Sequence, residues 1–327
     1  MLVLTALACR QPPSPDDAPP PLPHSAAPSS GGAHSAEPDH SAEPRPVVRC
    51  SDLAAAPLTA NPHPTARAFH DVVFDGPDLL GTHDGGLWRF PHDGAGELLI
   101  PDLGVVHQLD WLAAGGLAAL VDASVALERL DPEARTRVLL RPGGGYSVRV
   151  GPGDFVWVAD GDTLARLTPG TWEREVVVAS LPDGRPRAVA FDRGGERLFL
   201  GTIRGSGVVY VVPLDASGGA AGPPEVFATA VGGGWHDALG VDACGHVYVT
   251  DALTATVVRL DPAGTAETVL QLPTVGHAHG LRWGSGEGGW RSDALYVAQP
   301  YGGDLVAEVV VGVPAADWNG GRYDVVP

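Results

Sequence analysis

The chain has 327 residues and a formal net charge of −18, with 21 basic residues against 39 acidic ones. That balance argues against a nucleic-acid binder, which needs a basic footprint. Every basic residue is Arg, so no Lys is present to form a Schiff base, and the chain holds no G-x-S-x-G elbow, phosphate loop or H-E-x-x-H helix.

Residues 1–9 are apolar up to Cys9, with small side chains at Ala6 and Ala8. They read as the end of a secretory signal peptide with a bacterial lipoprotein cleavage box, in which Cys9 is lipidated. The missing basic start of such a peptide points to a true initiation site upstream. Residues 10–46 are rich in Pro, Ser, Ala, His, Asp and Glu, too polar to bury a core, and read as a disordered tether holding a domain off a membrane. No other stretch is apolar enough to span a bilayer, so the expected membrane contact is the lipid anchor alone. The expected location is the bacterial cell envelope, periplasmic or cell-surface, with free secretion as the alternative. With Cys9 lipidated, Cys50 and Cys244 remain, either a disulfide in an oxidising compartment or two free thiols.

From residue 47 to 315 the sequence repeats, leaving 316–327 as a tail. Each copy opens on a polar or aromatic residue, runs into a short apolar strand, turns, and continues through two or three more strands. The openers are His70, His107, Tyr146, Arg187, Asp237 and His279, a spacing of about 40 residues that marks the blades of a β-propeller. Outer strands are legible at Glu97 to Ile100, Arg137 to Leu140, Arg174 to Val178, Glu225 to Phe227 and Thr268 to Leu270. Six copies predict an all-β, six-bladed propeller. The sixth copy lacks an outer strand. Asp52 to Thr59 is the expected filler, with Tyr323 to Val326 as its rival.

The stretch DALGVDACGHVYVTD, Asp237 to Asp251, resembles the D-G-L-A-V-D-x-x-G-N-x-Y-V-A-D blade of the senescence-marker/gluconolactonase propellers, which are related to strictosidine-synthase-like and NHL-repeat propellers. RAVAFD from Arg187, LFLGT from Leu198, and HGLRWGSGEGGW from His279 are similar to its neighbouring blades and to a bacterial secreted subgroup. The resemblance implies a divalent cation at the mouth of the central channel. Its ligands would be a Glu in blade 1, an Asn in blade 4 and an Asp in blade 5, with an Asn in blade 3 for water or substrate, and the Asp would serve as base in lactone hydrolysis. Only Asp237 matches. His70, Tyr146 and Arg187 stand at the other three positions, and a guanidinium has no lone pair for a metal.

What the openers hold instead implies a different site. Three imidazoles and a carboxylate, His70, His107, Asp237 and His279, suit a zinc-type ion better than calcium. His277 lies beside them. Tyr146, Arg187, Trp235 and His236 are candidate ligand-binding residues, with Trp283 and Tyr301 as further aromatic candidates. The expected function is a monomeric, anchored propeller holding a small molecule, a protein partner or a metal at the channel mouth. The alternatives are a divergent metal-dependent lactone or ester hydrolase with Asp237 as base, and a protein-interaction scaffold.

Overall fold

The computed structural model describes residues 46–121, 126–273, 278–316 and 324–326. Cys9, the segments 1–9 and 10–45, and His277 lie outside the described residues.

Six four-stranded antiparallel sheets follow one another, one for each repeat. Their inner strands are Val72–Asp75, Val106–Trp111, Ser147–Val150, Arg185–Phe191, His236–Val241 and Leu281–Trp283, in blades 1 to 6. Among the described residues there is no α-helix, and the helical elements are three short 3-10 turns. Each blade is covered on both faces by its neighbours, so the central strands are continuous apolar runs rather than alternating ones. Leu117–Val121 is buried throughout. The clusters that bury these strands fall between consecutive blades. Leu80, Leu87, Leu109 and Leu117 seal blade 1 to blade 2. Tyr248, Val257, Leu281 and Val297 seal blade 5 to blade 6. Outer strands have one edge in water, and Val138 and Leu139 in blade 2 are 56% and 57% exposed.

The ring is closed from the N-terminal side, by a segment different from the expected one. Ala60–Arg67 pairs antiparallel with Leu305–Val310 and completes blade 6. Asp52 to Thr59 instead leads into that strand. Pro62 and Pro64 hid it in the sequence, since proline is a poor strand former. They are tolerated because this is an edge strand, and its register breaks between Pro62 and Arg67. The rival segment is also outside the ring: Asp324–Val326 pairs in parallel with Val47–Arg49 as a separate two-stranded ribbon.

Cys50 and Cys244 form a disulfide, with sulfurs 2.08 Å apart and a sequence separation of 194. Cys244 lies in the turn at the end of the blade-5 inner strand away from Asp237. From Cys50 the chain passes Val311, which accepts from Ala54 N, and Val269, which accepts from Leu58 N. The bond therefore pins the segment that leads into the closing strand.

Candidate functional site

The inner strands bring all six openers to one end of the channel. In three blades the pairing with the second strand slips at that end. The register shifts fall between Val106 and Leu109, between Pro186 and Ala188, and between His236 and Ala238. Such bulges re-aim side chains, and here they turn His107, Arg187 and Asp237 to the axis. They also separate Asp237 from its neighbour. His236 is fully buried between blades 4 and 5, where Nδ1 accepts from Thr202 N at 3.1 Å and Nε2 donates to Val231 O at 2.9 Å. Both its nitrogens are used in blade packing, so His236 does not join the axial group.

Asp237 is the hub. Its Oδ1 accepts from Arg187 Nε at 2.8 Å and lies 2.6 Å from Arg187 Nη2. Its Oδ2 lies 2.9 Å from His279 Nδ1, and that nitrogen is also 2.9 Å from His70 Nδ1. Of the two Nδ1 atoms of His70 and His279, one ring donates and the other accepts. The His107 ring stacks on His70 with centroids 4.6 Å apart, and the Arg187 guanidinium lies over the Tyr146 ring at 4.7 Å. The close approach of blades 6 and 1 depends on Gly280, where a Cβ would come within 2.3 Å of Asp71 Oδ1 and 2.5 Å of His70 O.

Asp237, Arg187, His70 and His279 are each at most 6% exposed. Burial alone would raise the Asp237 pKa, but the Arg187 charge, and after it His279, hold the carboxyl well below the usual range. Burial, helped by neighbouring His279 and His107, lowers His70 to about 2. Burial and the Arg187 charge lower His107 to about 4. At neutral pH the axis therefore holds one closed Arg–Asp pair beside two neutral imidazoles.

The oxygen cage of calcium-binding propellers does not fit these residues. Arg187 presents N–H donors where that cage needs a lone pair, and it occupies Asp237 Oδ1 itself. The His70 and His279 rings are hydrogen-bonded to each other, while His107 only stacks on His70. Among the described residues, the one group of three or more His, Cys, Asp or Glu donors within 4.8 Å of one another is elsewhere, at His83, Asp84 and Asp304.

Above the axis lies a cavity of about 340 Å³ lined by Trp235, Ala252, Leu253, Tyr301 and His279. Trp235, Leu253 and Tyr301 are 38%, 63% and 56% exposed, unusual for such side chains unless something covers them. Trp235 and Tyr301 were legible as aromatic candidates. Trp283 is not at the mouth: it lines a smaller cavity with Arg149, Phe191 and Arg282, and its Nε1 donates to Val313 O. Sequence reasoning missed Leu253, which sits in a turn without a motif. It also missed Gln108, whose Nε2 donates to Asp237 O and whose Oε1 accepts from Ser147 Oγ. The slipped register at Gln108 is invisible in a sequence.

No family model matches the chain, and no curated protein matches it in sequence. Solved structures do match. A gluconolactonase from Xanthomonas campestris superposes with TM-score 0.64 at 16% identity, over 84% of this chain and 96% of that one. A calcium-binding protein, regucalcin, from Agrobacterium tumefaciens gives 0.60 at 16% identity, over 86% and 98%. An auxiliary nutrient binding protein from Bacteroides thetaiotaomicron gives 0.60 at 10% identity, over 75% and 69%. The fold is the gluconolactonase-like six-bladed propeller. At these identities the likeness carries the architecture and not the chemistry.

Proposed function

We propose that this protein is an envelope-anchored propeller that binds a small organic molecule at its channel mouth. The observation that carries the reading is the cavity ending on His279, with Trp235, Leu253 and Tyr301 as walls. Its volume is at the small end of the usual range for ligand pockets, about 300–1,000 Å³. Its walls are apolar, and its polar end is the His279 imidazole, whose Nδ1 lies 2.9 Å from Asp237 Oδ2. The ligand class that fits is a compact, largely apolar, uncharged ring system with one hydrogen-bonding group. The Arg187 charge is already neutralised by Asp237, so an anion gains little from it. The Cys50–Cys244 disulfide supports residence in an oxidising compartment. The likeness to a nutrient binding protein agrees with a binding role.

A second reading is favoured by the Asp237–His279 contact of 2.9 Å. An imidazole beside a carboxylate is a pairing suited to removing a proton from water. On that reading the ligand is a lactone or ester, hydrolysed without a metal. A zinc-type ion among His70, His107, Asp237 and His279 is the remaining alternative.

One experiment separates the three. The full-length protein is screened by thermal shift against cyclic lactones, aryl esters and matched uncharged non-hydrolysable analogues, with product analysis and metal analysis on the same sample. Binding without turnover, lost in Trp235→Ala, supports the binder. Turnover lost in His279→Gln supports the hydrolase. Stoichiometric zinc lost in His279→Gln supports the metal site. No stabilisation by any compound counts against the mouth as a ligand site.

A further inference from the structure

A second cluster of metal-type donors lies on the same end of the ring, outside the axial group. His83 ends a blade-1 strand, Asp84 follows it in the hairpin turn, and Asp304 comes from the turn before the third strand of blade 6. His83 Nδ1 is 2.8 Å from Asp304 Oδ2, and His83 Nε2 is 3.3 Å from Asp84 Oδ2. One donor atom from each of the three lies within 4.8 Å of the others. The backbone on both sides is tied down. Trp88 Nε1 donates to His83 O, Leu103 N to Gly85 O and Ala68 N to Asp304 O.

Two further observations point to a ligand here. Among the described residues, no Arg lies within ion-pair distance of Asp84 or Asp304, and the two carboxylates share one imidazole. Most of the other ion pairs among the described residues join a carboxylate to Arg, whereas these two carboxylates have only the His83 ring within that distance. Beside the cluster is a cavity of about 450 Å³ lined by Phe69, Thr82, His83, Asp84, Val106 and Asp304. Thr82 in its wall is 3% exposed, and its Oγ1 has no hydrogen-bond partner.

We propose that His83, Asp84 and Asp304 bind a divalent metal ion, leaving open coordination positions that face this cavity. One imidazole and two carboxylates are the donor set of a borderline ion such as Zn²⁺, and two negative charges match its charge. The site joins blade 1 to the blade-6 turn that carries Tyr301, so it also braces one wall of the mouth cavity. Phe69 is shared, since it lines this cavity and packs edge-on to Tyr301 at 6.3 Å.

The test is calorimetric titration of the full-length, chelator-treated protein with Zn²⁺ alone, each variant first checked by its melt. The expected result is one equivalent bound, weakened about tenfold or more by His83→Ala and by Asp304→Asn, in line with the cost of disturbing a metal site. Asp304→Asn keeps the size of the side chain and one acceptor oxygen while removing its charge, and so remains informative if His83→Ala fails to fold. Absence of binding overturns the proposal. So does binding that survives both variants, as it would if His24, His34 and His40 near the N-terminus held the ion. Binding lost in His279→Gln but not in Asp304→Asn also overturns it, by moving the ion to the axis.

Discussion

Replacing Arg187 with Met tests the electrostatics of the axis. The substitution keeps the volume of the stem but removes the charge that faces Asp237 across 2.6 and 2.8 Å. Both side chains are nearly out of water, at 7% and 3% exposure, so solvent does little to screen the pair. Removing one partner of such a pair leaves the other charge buried and costs about 3–5 kcal/mol. In a domain of this size that lowers the melting temperature by roughly 6–10 °C. The pH dependence changes sign as well. In the wild type the Asp237 carboxyl sits below its ordinary range. Its contribution is therefore complete above about pH 4 and is lost as pH falls through the lower folded value. Without Arg187, burial is the larger influence and raises that carboxyl, so Arg187→Met recovers relative stability as pH falls from about 7 to 5. Urea denaturation followed by tryptophan fluorescence across that range measures both effects. The double variant Arg187→Met/Asp237→Asn should be more stable at neutral pH than Arg187→Met. A single variant costing under about 1 kcal/mol, with no pH trend, would show that the pair is solvated like a surface salt bridge and refute the reasoning.

Three further outcomes follow from the structure. Cys50→Ser, which opens a link across a sequence separation of 194, should lower the unfolding free energy by about 2–4 kcal/mol, and reduction of the wild type should match it. Gly280→Ala places a methyl 2.3 Å from Asp71 Oδ1, and should cost about 1–3 kcal/mol and displace His279, read by its imidazole resonances. Cys9→Ser should move the protein from the membrane to the soluble fraction of its native host, and unchanged fractionation would remove the lipid anchor.

The architecture was legible because a blade repeats. Strands such as Glu97–Ile100 and Arg174–Val178 fall where the alternation of apolar runs and turns puts them. The closing strand was misplaced because Pro62 and Pro64 carry the local signature of a loop, and pairing with Leu305–Val310 overrides it. At the mouth, position in the repeat was enough to gather His70, His107, Tyr146, Arg187, Asp237 and His279. It was not enough to say which way adjacent residues point. Asp237 was the opener and His236 a candidate beside it, and a one-residue bulge sends His236 into the blade interface and Asp237 to the axis. That Arg187 and Asp237 form a buried pair follows from the fold and not from their spacing of 50 residues. The cluster at His83, Asp84 and Asp304 joins residues more than 200 positions apart, and no spacing in the chain announces it.

Whether the channel mouth is a small-molecule site can be read from a crystallographic fragment screen of the folded protein. Uncharged aromatic and cyclic fragments should collect between Trp235, Leu253 and Tyr301, with a polar atom on His279. Fragments bound only elsewhere on the ring, with the mouth bare, would contradict a small-molecule site there.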